Sequence, residues 1–472
     1  MKSPYLQTLE SWYQANYKQI LQDFFSFLSF SSISTDPHYK QDIEQTAEWL
    51  KKYLEKIGLK TEIWPTEGHP VVFASSPHID PKKPTLLIYH HYDVQPVDPY
   101  DQWRTCPFDP EIKEDIVYAR GASDNKGQCF FTLSAIKAYI ENSPEWGFNL
   151  KLFIEGEEEC GSKNSSSLLP EKKQELEADY LLIVDMALAE AGVPAITLGL
   201  RGLVTMEVSC TNARADLHSG IFGGLATNPN HALIQALSRC WNEKGEIVIE
   251  GFYDEVLPLF EQEKQSFDRS ISKKELAEKF GIRAFPDVSE QLLWEKAHIL
   301  PTLEINGIGG GYTGKGFKTI IPSVATAKIS CRLVPNQDPE VIVKKVEQHL
   351  KKWIDSSLDL TLTYDHGAPP VRSSADTAFS HLVASAFETV FSSPCHKLLA
   401  GGSVPIVPKL TQISGAELAM IGLALAEDDA HAPNEHFSMQ RFFQGFLVMS
   451  TIFSELSTQS NMSSFCTKEG EV

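Results

Sequence analysis

Residues 85–93 read TLLIYHHYD. The run Thr85 to Tyr89 is apolar, has the length of a strand and stops abruptly at two imidazoles and a carboxylate. A short continuous apolar run of this kind predicts a strand covered on both faces. In open α/β sheets ligands gather at the carboxyl ends of such strands, which is where His91 and Asp93 fall. The pattern recurs along the first half of the chain. Val71 to Ala74 is a similar run, Leu150 to Ile154 leads into Glu155 and the acidic residues after it, and Tyr180 to Val184 ends at Asp185. Helical periodicity occupies 4–30 and 127–141. It also occupies 39–57, where Ile43, Ala47, Leu50, Tyr53 and Leu54 recur before Gly58. The alternation predicts an α/β domain with a mostly parallel sheet flanked by helices.

The texture changes near residue 200. Leu203 to Cys210, Ala325 to Val334 and Leu358 to Tyr364 alternate as half-buried strands do, with helical stretches at 229–243 and 338–354 between them. This predicts an inserted α+β domain. The charged segment 251–300, with its best helix at Ser272 to Phe280, reads as an insertion within it. Helical periodicity resumes at 375–392 and 436–457, so the chain returns to its first domain. The expected divisions are 1–199 and 371–472 for the first domain and 200–370 for the inserted one. The Ser- and Thr-rich last dozen residues read as a loose tail.

The chain has 472 residues, with 42 Lys and Arg against 62 Asp and Glu, for a net charge near -20. Such an acid surplus argues against nucleic-acid binding and against an anionic membrane surface. It accords with holding cations. Eight scattered cysteines without a CxxC pair predict reduced thiols and a cytoplasmic protein. The N-terminus lacks the features of a signal peptide, and no apolar run is long enough to span a bilayer.

Five places carry acids or imidazoles at strand ends or in tight turns: His91 and Asp93, Asp124 in GASDNKG, Glu158 and Glu159 in EGEEECGS, Asp185, and His431 in DDAHAPNEH. Singly, each has an ordinary explanation. A His after a strand is commonly a hydrogen-bonded loop residue, Asp124 can cap the helix that starts at Lys126, and a run of Glu is commonly a solvated face. Jointly, two imidazoles and three carboxylates suit two divalent ions sharing one carboxylate. His90 reads as a packing residue. Cys160 lies beside carboxylates that disfavour a thiolate. The glycines of GIGGGYTGKG do not match the phosphate-loop pattern and read as a flexible loop.

The motifs YHHYDVQP, GASDNKG, EGEEECGS, DLHSGIFGG, KTIIP, SCRLVP and GGSVP, in this order over about residues 40–440, resemble the di-zinc exopeptidases that include carnosinase, aminoacylase and carboxypeptidase G. The resemblance is strongest to the cytosolic non-specific dipeptidase branch. It implies that His91, Asp124 and Asp185 hold one metal and that Asp124, Glu159 and His431 hold the other, with Asp124 bridging. It further implies Asp93 as the carboxylate that orients His91, Glu158 as general base and His218 as the group that stabilises the oxyanion. Arg332 is implied as the partner of a free substrate carboxylate, with Thr319, His366 and Ser403 as further substrate contacts. The cofactors would be two divalent ions per subunit, Zn²⁺ foremost and Mn²⁺ as the alternative. The implied activity is metal-dependent dipeptide hydrolysis by a homodimer, the inserted domain serving as lid and dimerisation domain. An N-acyl amino acid amidohydrolase is the nearest alternative, and an inactive scaffold on the same fold is a more distant one.

Overall fold

The computed structural model describes residues 4–143, 145–258, 272–283, 287–364 and 367–466. The decisive stretch is a strand, Thr85–His91, at the middle of a nine-stranded sheet. Its neighbours Asn149–Glu155 and Tyr180–Val184 run parallel to it, and Glu417–Ile421 runs parallel to the latter. Antiparallel strands finish both sides, Lys60–Trp64 and Val71–Ser75 on one, Ala195–Leu200 with Val371–Arg372 on the other.

The two-residue period of a strand divides these apolar runs between two layers. Leu86, Ile88, Leu150, Leu152, Leu182 and Val184 face a core shared with the helices Pro4–Leu28, Lys40–Lys56, Lys126–Asn142 and Met439–Cys466. Leu87, Tyr89, Phe153, Leu181 and Ile183 face a second layer closed by Leu169, Leu176, Val407 and Leu410. Burial on both faces is why these strands read as continuous apolar runs.

A separate core forms between residues 204–252 and 303–358. Val204, Met206, Val208 and Cys210 alternate inward along Gly202–Thr211 and meet Ala325, Ala327, Ile329 and Cys331 of Val324–Leu333. The helices Pro229–Ser238 and Pro339–Trp353 cover this face of a four-stranded antiparallel sheet, while Thr205 and Glu207 stay exposed on the other. Asn228 and Asp338 cap these helices through hydrogen bonds to Asn230 N and to Glu340 N and Val341 N.

Two expectations are corrected. Residues 307–310 of the glycine-rich segment belong to a strand, Thr302–Gly310, because Val324–Leu333 pairs with their backbone across a bulge at Ile305 and Gly307. The last helix runs on to Cys466, into the Ser-rich stretch expected to be loose: once anchored by Phe442, Phe446, Ile452 and Phe453, adding a turn costs little. Residues 467–472 lie outside the described residues. Among the described residues, no helix is long and apolar enough to cross a membrane.

Candidate metal centre

Five separate parts of the chain converge at the carboxyl ends of the central strands. His91 is the last residue of its strand, fully buried, with its imidazole held edgewise. Nδ1 lies 3.1 Å from the Asp93 carbonyl and 3.4 Å from its carboxylate, while Nε2 lies 3.1 Å from Asp124 Oδ1 and 3.6 Å from Asp185 Oδ1. Asp185 directly follows Tyr180–Val184. Its Oδ1 accepts a hydrogen bond from Asn125 Nδ2, which also reaches the Val184 carbonyl.

Asp124 sits just before the helix Lys126–Asn142. It is not the cap of that helix, a position taken by Asn125 without a capping side-chain bond. Its two oxygens part company: Oδ1 faces His91, and Oδ2 lies 2.9 Å from His431 Nε2. His431 is carried to this spot by the segment that ends in His436–Ser438, a strand paired with Ile116–Tyr118 ahead of the Asp124 loop. Its own backbone is left-handed, with φ of +63°, an uncommon conformation for a residue with a side chain. His431 Nε2 also lies 3.3 Å from Glu159 Oε2. Two trios result, His91 with Asp124 and Asp185, and Asp124 with Glu159 and His431, the donor atoms of each within 4.8 Å of one another.

Three consecutive glutamates have three environments. Glu157 is buried and accepts from His69 N, Asn164 N and Ser165 N, so it ties loops together. Glu158 and Glu159 open a short 3-10 turn whose amides donate to the two oxygens of Asp93, at 3.2 and 3.0 Å. Asp93 therefore braces the imidazole of His91 and the acidic turn together. Glu159 Oε2 accepts from Gln95, whereas Oε1 is buried with no hydrogen-bond partner among the described residues. A buried carboxylate oxygen left without a donor fits a ligand waiting for a cation. With imidazole and carboxylate donors only, both trios fit borderline or hard divalent ions.

The charges fit the same requirement. Burial raises Glu158 well above the usual carboxylate range, and Glu159, Asp185 and Asp124 push it the same way against the pull of His91. Burial, aided by Asp124, pushes Glu159 up to about 7. Burial opposes charge on His91, yet Asp185, Asp124 and Asp93 outweigh it and hold the imidazole well above its ordinary value. Hydrogen bonding to Asp124 and Glu159 raises His431 to about 11. So many crowded acids call for positive charge at their centre.

Supporting residues surround this set, all but His90 absent from the sequence reading. Glu435, fully buried, accepts from Arg120 Nη1 and from the amides of Gly121, Ser123 and Asp124 at 2.7–2.9 Å. Asp428 accepts from Ser123 Oγ and pairs with Arg441. His90 is neutral, burial pushing it down to about 3; its Nδ1 lies 2.8 Å from Asn125 Oδ1, one step from Asp185. Polar residues packed among apolar ones around DDAHAPNEH and GASDNKG were the available signal.

The remaining predicted residues stand apart from the trios. His218 is exposed at the start of the short helix Ser219–Phe222, its Nδ1 accepting from Gly220 N, and Thr319 is exposed beside it, its carbonyl accepting from Ser219 N. Arg332 is half-buried on Val324–Leu333, opposite Leu203. Ser403 follows the Gly401–Gly402 turn. No hydrogen bond among the described residues joins these four to the acidic cluster. His366 lies outside the described residues.

Comparison with known proteins accords with this geometry. The chain is 30% identical over 452 residues to the Cys-Gly metallodipeptidase dug1 of Schizosaccharomyces pombe, covering 92% of this chain and 94% of that one. It is 31% identical over 389 residues to the Beta-Ala-His dipeptidase of Rattus norvegicus, covering 80% and 78%. Among solved structures, an M20 family metallo-carboxypeptidase from Sulfolobus solfataricus superposes with a TM-score of 0.84 at 33% identity, covering 93% of this chain and 99% of that one. Human carnosine dipeptidase 1 superposes at 0.82 and 26%, covering 97% and 100%. Residues 87–455 match a single family, and with the strand-end acids and imidazoles falling inside that span, the chain belongs to Peptidase family M20/M25/M40.

Proposed function

We propose that this protein is a dipeptidase working with two divalent metal ions. The observation that carries the reading is Asp124, whose two oxygens face different imidazoles and so give one carboxylate to both trios. Dipeptidase relatives at about this chain's own length support dipeptides as the substrate class. In this reading His91, Asp124 and Asp185 hold one ion, and Asp124, Glu159 and His431 hold the other. The ions, Zn²⁺ or Mn²⁺ by donor chemistry, would supply Lewis acidity and make bound water more acidic. Glu158, as a carboxylate once cations balance the acids around it, takes the water's proton and returns it to the leaving nitrogen. Asp93 keeps His91 and the Glu158–Glu159 turn in register. Arg332 pairs with the free C-terminal carboxylate, with Thr319, His366 and Ser403 as further contacts.

His218 would steady the charge that develops on the carbonyl oxygen, and it would do so in a second copy of the chain. Its exposure supports this, as do the exposed Ile221, Phe222, Leu225 and Phe317 near it and the edge position of Thr302–Gly310 in its sheet. Residues 200–370 then form the lid and dimerisation domain, and 1–199 with 371–472 the catalytic domain. Seven of the eight cysteines, from Cys106 to Cys395, are unpaired, which supports a reducing cytoplasmic setting.

The test is turnover of free dipeptides, their C-terminal amides and N-acyl amino acids by chelated protein resupplied with Zn²⁺ or Mn²⁺. Free dipeptides should be cut, and amides roughly ten- to hundredfold less well through loss of one charged hydrogen bond. Turnover of N-acyl amino acids alone would replace this reading with the amidohydrolase one. Mixing Glu158→Ala and His218→Ala proteins should regenerate up to about a quarter of wild-type activity if the site is shared between copies. A mixture that stays dead would place His218 outside the partner's site.

A further inference from the structure

Arg201 is the single residue between two strands, Ala195–Leu200 of the large sheet and Gly202–Thr211 of the small one. It is fastened on both sides. Its amide donates to the Gly402 carbonyl at 3.1 Å, and its Nε to the Gly401 carbonyl at 3.2 Å, just ahead of Ser403. The outer end of the guanidinium is not satisfied: Nη1 is buried and has no hydrogen-bond acceptor among the described residues. Leu203, two residues on, lies opposite Arg332 in the antiparallel pair, so Arg201 and Arg332 fall on one face. The two cations influence each other. Burial, then the charge of Arg332, pulls Arg201 down to about 10, and burial lowers Arg332 as well.

Among the described residues no carboxylate pairs with either. This is unusual in a chain with 62 acids against 42 bases, where Arg120 is matched by Glu435 and Arg441 by Asp428. Beside Arg201 opens a narrow cleft with apolar walls from Leu200, Ile299, Val371, Leu399 and Ala400, and a second guanidinium, that of Arg372, also lines it. His298, also in its lining, is kept neutral by burial and lies with its Nδ1 2.9 Å from the Trp294 carbonyl, so it brings no negative charge. A short methylene stem ending in an anion matches such walls and such an end.

We propose that Arg201 binds the acidic side chain of the substrate's C-terminal residue, giving the enzyme a preference for dipeptides that end in Asp or Glu. This deepens the proposed function and rests on its assignment of the main-chain carboxylate to Arg332. One carboxylate shared by both arginines would leave a positive charge uncompensated in a half-desolvated site. A ligand with two carboxylates neutralises both and meets each planar fork separately.

The measurement is equilibrium binding of free L-glutamate and L-glutamine to the metal-loaded protein by titration calorimetry, with kcat/KM for Ala-Glu against Ala-Gln as companion. Glutamate should bind roughly ten- to hundredfold more tightly than glutamine, the effect of one charged hydrogen bond. In Arg201→Met the ratio should fall to about one, and Arg201→Lys should keep a large part of it. Arg332→Met should weaken both ligands by the same factor. Equal binding of glutamate and glutamine to the wild type would overturn the proposal. So would equal weakening of both by Arg201→Met, the signature of a residue that only positions the Gly401–Gly402 turn or shares the main-chain carboxylate. If Arg332→Met changes neither ligand, the assignment of Arg332 fails, while the glutamate-to-glutamine ratio still reports on Arg201.

Discussion

Replacing Glu435 by Gln removes one charge and one acceptor from a place where four donors converge. Arg120 Nη1 and Gly121 N address one oxygen, and Ser123 N and Asp124 N the other. An amide keeps a single oxygen, so at most two of these bonds survive and its NH₂ faces two N–H groups. At roughly 1.5–3 kcal/mol for each bond to a charged group, the loss is about 3–6 kcal/mol. The cost of orphaning a buried guanidinium, about 3–5 kcal/mol, gives the same scale, and Arg120 is 1% exposed. Urea unfolding of the metal-free protein should show this drop. Because the amide of Asp124 is one of the four donors, metal affinity should fall too, by roughly ten- to hundredfold in a competition with a fluorescent chelator. A loss below about 1 kcal/mol with unchanged metal affinity would show that the loop holds its shape without Glu435 and would refute the argument.

Glu158→Gln should abolish hydrolysis with both metals retained, whereas Glu159→Gln should lower metal content as well; elemental analysis showing the reverse would exchange their roles. Asp93→Asn should keep the fold but weaken metal binding by roughly ten- to hundredfold, since one acceptor for the Glu158–Glu159 turn becomes a donor; an effect under about twofold would remove Asp93 from that part. Metal loading near pH 7 should release at least about one proton per chain, because His431 is raised to about 11 and Glu159 to about 7 in the empty cluster, and Glu158 and His91 are shifted upward as well. Calorimetry in buffers of different ionisation enthalpy measures this, and a release of zero would contradict the electrostatics.

What was legible in the sequence followed from burial. Strands covered on both faces write themselves as unbroken apolar runs, so Thr85–His91, Asn149–Glu155 and Tyr180–Val184 could be seen, and with them the polar residues at their ends. Glu417–Ile421 went unseen although it is equally central, because five residues between two helical stretches give no period to read. Thr302–Gly310 was hidden differently, by glycines whose strand character comes from the partner's backbone and not from side chains. In the site, the ligand types announced themselves, but Glu435 and Asn125 did not. Both act through bonds to groups distant in sequence or to backbone amides, and residue type carries no mark of that.

The place of Glu417–Ile421 bears on how the chain is made. It lies between Tyr180–Val184 and the strand Ala195–Leu200, both of which leave the ribosome roughly 230 residues earlier. At ~5–20 residues per second, the growing chain waits on the order of ten seconds or more before that gap can close. During this interval the edge of Tyr180–Val184 is bare, apolar on both sides and next to the acidic cluster, a surface open to mispairing with another nascent chain. His431 arrives only ten residues after the missing strand. Completion of the sheet and completion of the metal centre therefore become possible almost together, and a polypeptide released before residue 417 has neither.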